Sequence, residues 1–400
     1  MIHSSYYRPR VMPVLADSVD VEIDRVQDLS STATLNRTKI EEVGRDGIVD
    51  WRQTAPNIAV NLRQLEYGSL ELFRKLANKG DSVETVNFTD FKTGVFDVAG
   101  YKTDDNGTFL GTIWYPNLRV NSFGLTIGDP DAVIERSFGF VGEDEIALLY
   151  NNKYLIRGRY VIDASGNNKT VTLSNPTPTA DPDNSGHFLF KVVKVSAGLA
   201  TELNHGVDWS CDGTIVTING ASTAGDVILV WYSAATQGGQ TIFVNNDSDL
   251  GSISADSASI FLATNTYVYR LQSVSVDSTF DRRDIKEVGN SQVVSRGVRE
   301  ITHKITLGKI IESYTIEEIL RGKAGASYGK IDVRKFTDDN KLIIKLFSDN
   351  TKSTFKLGYR FSSLAPTGRD TATPVSDYIN AGVTMETNTG LVTTQVSALT

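Results

Sequence analysis

Apolar and polar residues alternate with a period of two along most of the chain, and this predicts strands. In Asn57–Arg63, Ile58, Val60 and Leu62 point one way while Asn57, Asn61 and Arg63 point the other. Thr, Val, Ser, Ile and aromatic residues recur between regularly spaced turn clusters, so the fold class is mainly β. Helical spacing surfaces twice. Leu70–Leu76 follows Ser69, a suitable N-cap, and precedes Gly80. Ile316–Arg321 follows Thr315, which with Glu318 fits a capping box, and Gly322 suits a left-handed stop. Both segments are too short to stand alone and must dock on a sheet.

The pattern also repeats. Residues 25–44, RVQDLSSTATLNRTKIEEVG, align without a gap on 270–289, RLQSVSVDSTFDRRDIKEVG, at an offset of 245. Nine of the twenty positions are identical, among them Gln27/Gln272, Arg37/Arg282, Ile40/Ile285, Glu42/Glu287 and Gly44/Gly289. Average residue usage gives about one match by chance. At the same offset Val60 and Leu62 fall on Ile305 and Leu307, so the following strand keeps its apolar face, and the two helical segments align with a shift of one. Each copy then returns to β patterning and ends in a similar coda, 131–140 in the first and 374–383 in the second.

Between the copies the composition changes to few basic residues and many Gly, Ser, Asn and Asp, with strand patterns in His187–Val195, Thr214–Asn219 and Val227–Tyr232. The chain therefore divides into a first module (1–142), an inserted β-domain (143–255) and a second module (256–400) that ends in a polar arm from Thr387. Residues 1–20, 44–56 and 387–400 are expected to order only on assembly.

Charge separates the parts. The first module carries 15 Lys/Arg against 20 Asp/Glu, the insert 6 against 12, and the second module 19 against 16, for a total of −8. Such a chain is poorly suited to gripping DNA, which requires basic side chains against phosphate. The single cysteine, Cys211, permits no internal disulfide. No apolar run reaches the roughly 20 residues that span a bilayer, and the polar first residues lack a signal core. His3, His187, His205 and His303 have no metal-ligand spacing. His303 occupies the slot of Ile58 and reads as a core residue. His205, Asp208, Cys211 and Asp212 read as a turn between strands, since Asp-Gly is a hairpin signal. Asp104-Asp105-Asn106-Gly107 lacks the spacing and distal Glu of a calcium loop. No phosphate loop or dinucleotide fingerprint occurs. An enzyme is not expected, nor any cofactor.

The repeated stretch, with Gln27, Asn36-Arg37 and Ile40–Gly44, then the Ile58–Leu62 strand, then the short helix, and all of it a second time, resembles the tail tube proteins of tailed bacteriophages. The resemblance covers about two-thirds of the chain. It implies two packed sheets with a flanking helix per module, closing with neighbours into rings that stack as a tube. The lumen would be a β-barrel passing double-stranded DNA and a tape measure protein. Other implied partners are a tail terminator and, if the tail is contractile, a sheath; the implied location is the virion tail, assembled in the host cytoplasm. Two modules per chain imply trimeric rings with pseudo-sixfold symmetry. Arg37, Glu42, Gly44, Arg282, Glu287 and Gly289 are the expected assembly contacts, with the recurring Arg37/Arg282 and Glu42/Glu287 forming ion pairs at module contacts. Asn57, Asn61, Thr302 and Thr306 are the expected lumen face. Two other readings fit the pattern: another virion ring component, such as a baseplate hub or tail completion protein, and a carbohydrate-binding adhesive acting through Trp209, Trp231 and Tyr232 of the insert.

Overall fold

The computed structural model describes residues 6–15, 19–35, 37–41, 48–53, 56–104, 108–129, 131–148, 154–173, 178, 189–236, 251–262, 266–268, 271–285, 295–310, 315–320, 336–337, 340–372 and 380–399. In the first module the alternating segments form β1 (Tyr6–Pro13), β2 (Val21–Glu22), β3 (Val26–Thr34), β4 (Arg37–Glu41), β5 (Ile48–Gln53) and β6 (Asn57–Leu65). Helix α1 (Glu71–Leu76) follows, then β7 (Thr85–Asn87), β8 (Phe96–Thr103), β9 (Phe109–Ile127) and β10 (Glu135–Gly142); just past the module, β11 (Ile146–Leu148) pairs back onto β9. The Ser69 hydroxyl accepts the Glu71 N–H, and α1 buries Leu72, Phe73 and Leu76. Phe73 packs edge-on to Phe123, Phe138 and Tyr359, with ring centroids 5.4–6.1 Å apart. A six-residue helix is therefore held by its apolar face, as its length requires.

The insert contains β12 (Tyr154–Val161), β13 (Gly166–Thr172), β14 (Leu189–Ser196), β15 (Leu199–Glu202), β16 (Trp209–Asp212), β17 (Ile215–Ser222) and β18 (Val227–Ala234). They make a four-stranded sheet, β12-β18-β14-β15, and a three-stranded one, β13-β17-β16. The second module has β19 (Ala258–Leu262), β20 (Thr266–Tyr267), β21 (Leu271–Ile285), β22 (Ser295–Ile310), α2 (Thr315–Leu320), β23 (Asn340–Phe347), β24 (Phe355–Ala372), β25 (Asn380–Thr387) and β26 (Thr389–Thr393).

The ladders β3·β6 and β21·β22 run in the same register. In β3·β6, Leu29 faces Leu62 and Ser30 faces Asn61; in β21·β22, Val274 faces Leu307 and Ser275 faces Thr306. The outer hairpin continues the match: Arg37 faces Gln53 in β4·β5, and Arg282 faces Val298. Even the irregularities recur. The β3·β6 ladder skips Gln27 and the β21·β22 ladder skips Gln272, two of the identical residues. The β9·β10 ladder skips Asn121, and β24·β25 skips Thr367. A bulge re-aims every residue beyond it, so a shared bulge keeps the same faces buried in both copies. The codas match two residues away from the sequence pairing: Phe138 opposite Leu62 answers to Val383 opposite Leu307.

Strands β9 and β24 are long because each serves two layers. The first part of β9 pairs with β8 and β11, and the last part with β10. The layer β1-β8-β9-β11 is buried on both faces. Val11, Phe96, Val98 and Tyr115 face the main core, while Met12, Ala99, Tyr101 and Trp114 face the core of the insert. The insert is thereby seated on the layer away from β3, β6 and β10. An ion pair fixes it: the Lys191 ammonium lies 2.9 Å from the Asp97 carboxylate, and Asp97 also accepts from Trp114 Nε1 and the Asn117 N–H.

The expected terminal arms are corrected. Residues 6–13 pair along β8, β26 pairs with both β24 and β7, and Leu399 is buried. Apolar Val11, Met12, Leu391 and Val392 anchor these ends in the sheets.

Candidate assembly interface

The modules meet along one antiparallel ladder, β9·β21, running from Val274 opposite Ile127 to Thr279 opposite Ser122. It fuses four strands from each module into a single eight-stranded layer in the order β3-β6-β10-β9-β21-β22-β25-β24. One face covers the main core. The other carries Ser30, Asn61, Gly139, Ser122 and Thr279, cross-strand neighbours in one row. Asn57 and Asn61 are exposed on that face, and Thr302 and Thr306 are half-exposed.

Side chains lock this seam. Phe280 is buried and meets the Phe91 ring at 5.9 Å, edge-on. Phe88 reaches into the second module between His303 and Phe361, at 4.7 and 6.0 Å. His303 Nδ1 lies 2.7 Å from the Ser278 hydroxyl. Burial lowers the imidazole to about 4, so it is neutral at pH 7, as a core residue should be. Strand β7 also pairs with β26. At the far side of the core, the fully buried Arg136–Glu66 pair is closed by the Tyr359 hydroxyl, which donates to Glu66 Oε2 at 2.8 Å.

Arg282 sits on this seam and binds backbone oxygens. Its Nε donates to the Val120 carbonyl at 2.6 Å and its Nη2 to the Phe91 carbonyl at 2.8 Å; these acceptors are backbone oxygens, not a carboxylate. Burial, with Arg119 and Arg296 nearby, pulls its pKa down to about 9. The neighbouring Arg296 takes the acid, with Asp284 at 3.0 Å. Arg37, the equivalent residue, is exposed on β4. Glu42, Gly44, Glu287 and Gly289 lie outside the described residues, as do Asp105–Gly107 of the Asp-rich turn.

The seam acceptors are backbone groups, and no side-chain pattern announces them. The Asp97–Lys191 pair is equally silent in sequence. One signal was present: β8 reads FDVAGYKT, apolar on both parities, as a strand buried on two faces does.

The remaining candidates resolve as packing. Trp209, Trp231 and Tyr232 are buried, which leaves no aromatic platform for a sugar at those positions. Asp212-Gly213 forms the β16–β17 turn, with Gly213 at φ +57°. Among the described residues no group of His, Cys, Asp and Glu could hold a metal, and no helix is long and apolar enough to cross a membrane.

No protein-family model and no curated protein sequence matches the chain. Among the solved structures similar in part to the chain are two from tail-like assemblies. One is a chain of the anti-feeding prophage baseplate, 15% identical, covering 36% of this chain and 93% of that one with a TM-score of 0.25. The other is the Dit protein of phage SPP1, described as a hub of the adsorption apparatus of phages infecting Gram-positive bacteria. It is 11% identical and covers 60% of this chain and 88% of that one, with a TM-score of 0.18. Superpositions this loose carry no functional argument.

Proposed function

We infer that the chain is a structural virion protein of a phage tail, and that three copies close into a pseudo-sixfold ring that stacks into the tail tube. The observation that carries this reading is the fused layer: two modules with matching ladders present eight strands with two free edges, β3 and the end of β24, among the described residues. Free edges must be covered or paired. Closing a ring through them needs a repeated rotation, and head-to-tail contacts close only when that rotation fits.

Dimensions favour three copies. Twenty-four strands spaced about 4.8 Å apart give a circumference near 115 Å and a backbone diameter of about 37 Å for untilted strands. Removing about 5 Å of side chain per wall, half the spacing of stacked sheets, leaves a bore of about 27 Å. That passes a DNA duplex; two copies would leave about 14 Å on the same reckoning. The row of Ser, Asn, Gly and Thr on the open face suits a wall that phosphates slide past. The insert, seated on the opposite side of the module, would project outward. This favours a tail without a sheath.

End-on electron microscopy of the purified chain tests this. Six-lobed rings of three chains, stacked or single, are expected. Closed rings of another stoichiometry overturn the tube reading in favour of a different virion ring component.

A further inference from the structure

We propose that neighbouring copies join through a weakened replica of the internal seam: β3 of one copy pairs with the end of β24 of a second copy, in the register of β9·β21. The proposal rests on the ring reading above and specifies its contact.

The register follows from the shared ladders. Thr279 faces Thr302 as Thr34 faces Asn57, so β3 stands where β21 stands. Ser122 faces Gly139 as Gly368 faces Thr384, so the end of β24 stands where the end of β9 stands. The internal pair Thr279–Ser122 thus becomes Thr34–Gly368 between copies. Both residues are exposed, and they lie at opposite edges of the eight-stranded layer, too far apart to meet within one chain.

Burial marks the same edge as incomplete. Phe280 is 1% exposed, whereas its counterpart Leu35 is 55% exposed. Val276 is buried and its counterpart Ser31 is exposed. Arg282 grips the Val120 and Phe91 carbonyls, while Arg37 is exposed at the matching place. Beneath β3 lies a recess of about 220 Å³ lined by Leu29, Ser31, Gly100, Ile113 and Tyr115. In the second module Phe361, which matches Tyr115, packs against the Phe88 ring of the first. Of the four positions buried on β21, Val276, Ser278 and Phe280 have exposed counterparts in Ser31, Ala33 and Leu35, while Leu29, the counterpart of Val274, is half-buried.

The replica is weaker because its side chains are smaller. Phe280 becomes Leu35 and Val276 becomes Ser31, so a copy-to-copy seam buries less apolar surface than the internal one. The internal seam forms once, within a chain; the outer one forms between separate chains and pays for lost translational freedom as well. The chain then remains dispersed at low concentration and assembles above a threshold.

Two experiments on the full chain test this, both with Cys211→Ser. In the first, Thr34→Cys with Gly368→Cys should give disulfide-linked oligomers under mild oxidation. Ser30→Cys with Gly368→Cys, about 13 Å out of register, should not. Rings that form without the in-register cross-link, or that cross-link equally in the control, overturn the seam and leave the ring reading standing. In the second, Ser31→Val with Leu35→Phe installs the internal seam's residues on the free edge. Sedimentation should show assembly at about tenfold lower concentration, as expected for one added apolar side-chain increment. An unchanged or higher threshold overturns the weakened-replica proposal. A chain that stays monomeric in both experiments overturns the seam and the ring reading together.

Discussion

Truncating the two equivalent residues Phe280 and Leu35 should have opposite consequences. Phe280 is buried on β21 against Phe91, and Phe→Ala in such a place costs about 3–5 kcal/mol. About 0.5–1.5 kcal/mol of that belongs to the edge-on ring contact. Leu35, which the repeat aligns with Phe280, lies just past the end of β3 and is 55% exposed, so Leu35→Ala should change monomer stability by no more than about 0.5 kcal/mol. Native-state hydrogen exchange reads the difference locally. A loss of about 3 kcal/mol accelerates opening by more than about a hundredfold. In Phe280→Ala this acceleration should fall on residues 271–285 and 295–310, the strands that Phe280 helps to hold. In Leu35→Ala the protection of 26–34 and 57–65 should match the unaltered chain, while assembly should require a higher protein concentration. If Leu35→Ala loosens its own hairpin as Phe280→Ala does, Leu35 has a partner within the chain and β3 is not an open edge.

Three further outcomes follow from the buried polar groups. The folded pKa of His303, lowered to about 4, lies below the unfolded value of 6.5, so its contribution is complete above pH 6.5 and is lost as pH falls toward 4. The loss is on the order of 3 kcal/mol, and urea midpoints of His303→Gln should be flatter than wild type across that window. Lys191→Met leaves Asp97 charged, buried and without its cation, at a cost of about 3–5 kcal/mol. Proteolysis of the insert should accelerate, and adding Asp97→Asn should restore part of the resistance. Tyr359→Phe removes one donor to Glu66, which keeps Arg136 and the Tyr67 and Gly68 N–H groups. Thermal unfolding should register a loss of about 1–2 kcal/mol; no loss would mean that the hydroxyl is dispensable.

Much of the fold was legible in the sequence because a period of two and a gapless repeat are direct consequences of pleat and register. Ile58, Val60 and Leu62 lie on the core face as alternation requires, and so do Ile305 and Leu307. A core role for His303 followed from its place in the slot of Ile58. The terminal segments were misread because composition outweighed pattern: Thr387–Thr400 is polar on average, yet Leu391, Val392 and Leu399 suffice to anchor it. Recurrence singled out Arg282, and within the chain its partners are backbone carbonyls. A guanidinium can donate to carbonyls as well as to carboxylates, and backbone acceptors leave no trace in residue identity.

On the proposed reading, duplication changes what an edge can do. In a ring of identical modules every seam is one interface, so its strength is a compromise between a stable wall and a soluble subunit. A chain with two modules separates these demands. The internal seam gains Phe280, Val276 and a buried Arg282, and its strength carries no risk of premature growth because both of its edges are consumed within the chain. The outer seam keeps the same ladder with Leu35 and Ser31, so register is preserved while affinity falls. Backbone hydrogen bonds set where neighbours pair, and side-chain volume sets how tightly. The same division predicts that exchanging the residues, Phe280→Leu with Val276→Ser and Leu35→Phe with Ser31→Val, would give a chain that aggregates through β3 before its own modules are firmly joined.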